Sequence, residues 1–308
     1  MTNARKDPAI IAVVSAFNPP YDLVDRVRGL SKQVSHVVVV DDGSEDGDGE
    51  IWRKLEIVGA EVIHHTQNRG IAAALNTGIE AAFSFDTYGW VLTMDQDSEL
   101  TGGYIENSLI TYRAATAKGA KVGLVAPGTH NGYPVKMLTG SQRIPEAFDP
   151  MQSGCLIPGD VIRQAGQLDE SLFIDCVDTD FNSRLRSLGY LLPVSPRSDL
   201  RHELGKKTSV RVFDREIQFR GRPLALTHHS PLRVYYITRN AIVVSIRHLR
   251  HDPVWMLRRL WMETESNLIR LVFGPSRRAY VLAWRLGIRD ALRHELGKAD
   301  EEILKRLR

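Results

Sequence analysis

Two aspartates two positions apart, Asp95-Gln96-Asp97, follow directly on the apolar run 89–94. Carboxylates at that spacing, set at the end of a buried strand, suit a hard divalent cation such as Mg²⁺ or Mn²⁺, which takes oxygen ligands and keeps room for substrate phosphates. The same acids also suit a solvated turn. Their place in line with a second acidic pair, Asp41-Asp42-Gly43-Ser44 after the run 34–40, favours the metal reading. Asp41 and Asp42 fit either a turn or a carboxylate that accepts from the N3–H of a pyrimidine. Phe17-Asn18 stands in the corresponding position after the first apolar run, and Gln67-Asn68-Arg69-Gly70 opens a helix that continues through Asn76 and Gly78. Asn76 and Gly78 weaken an apolar helix, and no packing reason for them is visible in the sequence.

Further along, Asp175, Asp178 and Asp180 crowd three carboxylates into six positions ahead of a helix that stops at Gly189. Asp178 or Asp180 suits a helix cap, but three acids exceed what capping needs, and one of them suits a general base. His202, followed by Glu203-Leu204-Gly205-Lys206-Lys207, is either a metal ligand or a structural histidine. The strip 227–240 carries Arg233, Tyr236 and Arg239, and its guanidinium groups match phosphate or acceptor oxygens.

The elements that must position these groups alternate. Residues 9–16, 34–40, 61–65, 89–94 and 122–126 read as strands, with helices over 21–32 and 71–85 between them. That βαβ order predicts a mostly parallel sheet covered by helices, with ligands beyond the carboxyl ends of its strands. Phe17-Asn18, Asp41-Asp42 and Asp95-Gln96-Asp97 each fall at such an end. A dinucleotide-binding Rossmann unit is excluded because SAFNPP after the first strand lacks G-x-G-x-x-G, and no GxxxxGK[ST] loop is present. The spacing predicts two more helices, over 254–273 and 279–292.

In order, these segments resemble the family 2 glycosyltransferases, and among them the bacterial rhamnosyltransferases. The turn at Asp42 and the D-x-D pair are shared by the broad family. NRGIAAALNTGI (68–79), MDQDS (94–98), SGCLIP (153–158), LDESLFIDCVDTDF (168–181) and SPLRVYYITRN (230–240) carry the narrower likeness. The resemblance implies a GT-A fold, Rossmann-like, with a C-terminal helical extension, and an inverting single displacement. It implies that Asp42 holds the base, with Phe17, Asn18, Asn68, Gly70, Asn76 and Asp95 around the donor. Asp97 and His202 would ligate Mg²⁺ or Mn²⁺, Asp178 would be the base, and Asp175 would serve the acceptor or its loop. Arg233, Tyr236 and Arg239 would also face the donor. Two departures stand out: Val177 where many members carry an acid, and Lys206-Lys207 after His202 where small or acidic residues are common. No Gln-x-x-Arg-Trp motif is present, which argues against a processive polymer synthase.

The donor implied is dTDP-β-L-rhamnose and the acceptor a cell-surface polysaccharide or lipid-linked glycan. The alternatives are a UDP-hexose or UDP-HexNAc donor, or a silent nucleotide-sugar-binding protein. At 308 residues the chain suits a catalytic domain over 1–225 and a mainly helical region over 226–308. Two cysteines form no metal or disulfide pattern, and there is no signal-peptide core or spanning run, so a cytoplasmic protein is expected, peripheral on the plasma membrane. From Arg247 onward 14 Lys+Arg face 8 Asp+Glu. That basic tail suits an anionic surface, membrane or nucleic acid, or a solvated charged helix. The two C-terminal helices suit a cap on the catalytic domain, a contact with a second copy of the chain or interfacial membrane contact, and no nucleic acid is expected as partner.

Overall fold

The computed structural model describes residues 9–45, 49–85, 88–138, 143–202, 229–274 and 276–307, with short stretches between 207 and 227. Two compact units result: Met1–Glu170 with Val177–His202, and Ser171–Cys176 with Glu203–Arg308.

The first unit is built on β1 (Ala9–Ala16), all eight residues of which are buried. β-branched and small apolar residues without alternation are what a strand covered on both faces requires. β2 (His36–Asp41) pairs with it on one side and β4 (Tyr88–Asp95) on the other, both parallel, and β3 (Ala60–His64) extends the sheet beyond β2. β8 (Cys155–Pro158) closes the far edge antiparallel to β4, giving the order β3-β2-β1-β4-β8. The chain reverses direction of travel between β1 and β4, so their carboxyl ends form the crevice where ligands bind in such sheets. Phe17 follows one end and Asp95 is the other.

Helices α1 (Leu23–Leu30), α2 (Glu50–Ile57) and α3 (Ile71–Ser84) cross the sheet. Gly78 now has its packing reason. A Cβ there would lie 2.3 Å from Val13 Cγ1, so glycine lets α3 sit directly on β1. A second sheet, order β5-β9-β6-β7, is made of β5 (Ser98–Leu100), β6 (Ala126–His130), β7 (Tyr133–Pro134) and β9 (Val194–His202). The strand expected over 122–126 begins instead at Ala126, with only isolated bridges at Val122 and Val125. α4 (Tyr104–Ala117), α5 (Gly159–Ala165) and α6 (Val177–Ser187) complete the unit.

The second unit contains α7 (Pro231–His248), α8 (Pro253–Phe273), α9 (Arg277–Arg293) and α10 (Glu301–Leu307). α7 starts where Ser230 Oγ accepts from Arg233 N at 3.2 Å with proline at the first helical position. Val234, Tyr235, Tyr280, Ala283, Leu286 and Ile303 form its core. No helix among the described residues is long and apolar enough to cross a membrane.

Candidate active site

Strand β4 runs out at Asp95, and a short turn carries Asp97 into β5, which pairs antiparallel with β9 so that Ser98 faces His202. That pairing brings Asp95, Asp97 and His202 together: one ligand atom from each lies within 4.8 Å of the others. His202 Nδ1 is 2.9 Å from Ser98 Oγ and 3.2 Å from Asp97 Oδ1. Two carboxylates and an imidazole, all half-buried, fit a divalent cation that also needs open positions for phosphate oxygens.

The segment just before β8 fixes this cluster. Ser153 Oγ accepts from Asp95 N at 3.0 Å and donates to Ser98 Oγ at 2.9 Å, so one hydroxyl ties both arms of the turn to the histidine's neighbour. Next to it Gly154, at φ +80°, offers its carbonyl to Tyr104 Oη at 2.6 Å. A Cβ on Gly154 would meet that same hydroxyl at 2.6 Å, so the position demands glycine twice over. Gln152 donates its amide to Asp95 Oδ1, while its carbonyl accepts from Thr93 Oγ1. Outer contacts of this kind orient metal ligands and tune them. In the sequence Ser153 and Gly154 are only part of SGCLIP, and no signal marks Gln152. Gln96 was likewise only the middle of D-x-D, yet its side chain accepts from Phe17 N at 2.7 Å and donates to Phe17 O at 3.2 Å. It pins the end of β1 to the turn that carries Asp95 and Asp97.

On the β2 side the first unit shows how the acidic pair works. Asp41 accepts from Ser44 N at 2.9 Å and contacts His64 Nδ1. Asp42, buried, accepts from Arg69 N at 2.9 Å and Gly70 N at 2.7 Å, and lies 2.9 Å from His65 Nδ1. Its carboxylate thus shapes the loop that holds Asn68 and Gly70, and Gly70, at φ +97°, precedes α3. Phe17 is 42% exposed, and Asn18 at φ +45° accepts from Glu45 N at 3.0 Å. Phe17, Asn18, Asn68 and Asp42 therefore gather at the β1–β2 end of the crevice.

Asp178 is the second residue of α6, half-buried, and accepts from Thr179 N at 2.8 Å. It lines a cavity with Gln152, Cys155, Leu168, Phe181 and Asn182. Gln152 thus touches Asp95 with its amide and shares a wall with Asp178. Burial, and then the Asp178 carboxylate, push the Cys155 thiol well above its usual value, so it is no nucleophile. Asp180 is 1% exposed and paired with Arg184 Nε at 3.0 Å.

Three of the residues expected around the donor make their bonds within the chain. Asn76, buried in α3, donates to Leu168 O and accepts from Leu168 N, each at 2.9 Å, and also donates to Glu170 at 3.0 Å. Tyr236, buried in the second unit, accepts from Ala299 N at 2.8 Å and stacks on Phe173. Arg239, 1% exposed, spends its guanidinium on Asn240, Gly297 O and Leu172 O. All three lie in apolar surroundings where an unpaired polar group is costly, so their partners are the chain itself. Within the second unit Arg233 grips Asp175 at 3.0–3.3 Å. Burial raises the Asp175 carboxyl above its usual range, and Arg233 opposes that shift. Lys206, with the expectation attached to it, lies outside the described residues.

Residues 11–154 match the model of Glycosyl transferase family 2. Across 250 residues, 76% of this chain and 79% of the other, the sequence is 28% identical to the dTDP-rhamnosyl transferase RfbF of Shigella flexneri. Among solved structures, S. aureus TarS 1-349 superposes with a TM-score of 0.59 at 15% identity, covering 93% of this chain and 82% of that one. GalNAc-T7, solved with UDP, GalNAc and Mn²⁺, superposes with a TM-score of 0.53 at 12% identity over 77% of this chain, which spans about half (48%) of that longer chain. At such identities these likenesses speak for the fold, which is of GT-A type. The chain carries a glycosyl transferase family 2 domain over residues 11–154 and is a rhamnosyltransferase-like glycosyltransferase.

Proposed function

We propose that the protein transfers L-rhamnose from dTDP-β-L-rhamnose to a glycan or lipid-linked acceptor, with inversion at the anomeric carbon. The observation that carries the reading is the Asp95–Asp97–His202 cluster at the carboxyl end of β4, with Gln152 linking it to the cavity of Asp178. The likeness to the Shigella flexneri enzyme supports the choice of sugar and nucleotide.

Asp97 and His202, with Asp95 beside them, would hold Mg²⁺ or Mn²⁺, which supplies charge to offset that developing on the leaving diphosphate. Phe17, Asn18 and the Asn68–Gly70 turn, shaped by Asp42, form the wall for the thymine base and its deoxyribose. Asp178 takes the proton from the acceptor hydroxyl as that oxygen attacks the anomeric carbon. Its carboxylate is half-buried and lines the cavity with Gln152, Leu168, Phe181 and Asn182, where an acceptor hydroxyl can be held against it. The sequence of events needs no protein nucleophile, in keeping with a buried, protonated Cys155. Hydrolysis and transfer assays on a panel of nucleotide sugars test the donor: dTDP-rhamnose should be turned over in preference to UDP-GlcNAc, UDP-glucose and GDP-mannose. A clear preference for a UDP or GDP sugar would overturn it.

A further inference from the structure

Helix α8 is inverted relative to an ordinary surface helix. Its inward arc carries Met256 and Asn267, both buried, with Arg259, Glu263 and Arg270 on the same side. Arg270 Nη1 lies 3.6 Å from Glu263 and 2.8 Å from Asn267 Oδ1, and Arg259 reaches Cys176 Sγ at 3.5 Å. The outward arc is mainly apolar, with Thr264 and Glu265 the exposed polar residues along it: Val254, Leu257, Trp261, Leu268 and Val272 are all exposed, Trp261 at 70%. At about 100° per residue these five share one stripe. A helix of a soluble protein buries such a stripe and shows its charges to water; α8 does the reverse, while the core of its unit is supplied by α7, α9 and α10.

Charge decides what covers the stripe. Arg247 and Arg250 precede α8, Arg277 and Arg278 follow it, and all four are exposed. From Arg247 to Arg293 ten arginines face four acids. Were a second copy to cover the stripe, a two-fold pair of antiparallel α8 helices would set one arginine pair against the other, and a parallel pair would set each against its own equivalent. Either arrangement opposes like charges. An apolar stripe with a Trp at its middle and guanidinium groups at both ends instead matches acyl chains bordered by phosphate headgroups. We propose that the outward face of α8 lies in the plane of an anionic lipid bilayer, with Trp261 and Leu257 below the headgroups and Arg250, Arg277 and Arg278 among them. This holds whatever the donor sugar, and it places the enzyme where a lipid-linked acceptor is found.

Sedimentation of the full chain with vesicles, without nucleotide or metal, tests it. The protein should pellet with phosphatidylglycerol-containing vesicles, less with phosphatidylcholine alone, and less as salt rises. Trp261→Ser with Leu268→Ser should weaken partitioning at least ~10-fold, since each exposed side chain carries a substantial transfer energy; Arg277→Glu with Arg278→Glu should weaken it on anionic vesicles only. Both double variants change exposed residues, so circular dichroism and nucleotide binding should match the parent. Absence of binding to anionic vesicles, or unaltered binding by the Trp261/Leu268 variant, overturns the proposal. A dimer by light scattering that the same variant dissolves, without vesicle binding, would replace the bilayer with a second copy.

Discussion

Replacing Asn76 by alanine separates a structural role from a donor contact. The side chain donates to Leu168 O and accepts from Leu168 N, each at 2.9 Å, in a region where Leu168 is 7% exposed. Alanine leaves both backbone groups buried without these partners, at about 1–3 kcal/mol apiece. The third bond, to Glu170, counts for little, because that carboxylate is 41% exposed and keeps Arg69 at 3.0 Å. Better helix propensity returns about 0.5 kcal/mol. The net loss is about 2–5 kcal/mol, which for a unit of this size lowers the unfolding temperature by roughly 4–20 °C. Urea unfolding followed by circular dichroism reads the loss, and calorimetry with dTDP and Mn²⁺ below the transition reads the site. Affinity should change less than about threefold, the error band of a pure stability effect. A stability change under about 1 kcal/mol together with a tenfold loss of nucleotide affinity would refute the reasoning and return Asn76 to the donor site.

Asp178→Asn should cut turnover by about 10² to 10⁴ while nucleotide affinity persists; a near-native rate would move the base elsewhere. Asp180→Asn should instead lower stability, because Arg184 Nε loses its buried partner at 3.0 Å, and a dead but fully stable variant would contradict that. Ser153→Ala, which removes the hydroxyl between Asp95 N and Ser98, should weaken metal affinity about 10–100-fold without changing the fold; equilibrium titration of Mn²⁺ checks it. Burial raises the Tyr104 pKa well above its ordinary value of 10.0. The folded state therefore keeps this phenol neutral, and stability is intact below pH 10 and falls as pH rises past it. Tyr104→Phe should cost about 1–3 kcal/mol at neutral pH, since Gly154 O loses its donor, and should flatten the alkaline decline in a pH series of melting curves. An unchanged alkaline slope would refute it.

Much of the first unit was legible because buried parallel strands announce themselves as unbroken apolar runs, and the acids at their ends mark the crevice. β1, β2, β4 and α3 fall within a few residues of expectation, and Asp95, Asp97 and His202 come together as the motifs implied. The second sheet was not legible, since β5, β6 and β7 are short and mix polar with apolar residues. Nor was the meaning of polar residues in apolar helices. Asn76, Tyr236 and Arg239 look like ligand groups in a sequence, yet each satisfies backbone atoms from segments far along the chain, at Leu168, Ala299 and Gly297. The spacing marks α8 as a helix but cannot say that its apolar stripe faces outward, because the period fixes which residues share a face and not which side the fold covers.

The central claim is that Asp95, Asp97 and His202 hold a divalent cation against the donor's diphosphate. Isothermal calorimetry of dTDP binding, with Mn²⁺, with Mg²⁺ and with chelator, addresses it directly in the parent protein and in Asp97→Ala and His202→Ala. The parent should bind dTDP tightly only with a metal present, and each variant should lose most of that metal-dependent affinity while retaining the parent's circular dichroism. Equal affinity with and without metal, or variants that bind as the parent does, would contradict the account.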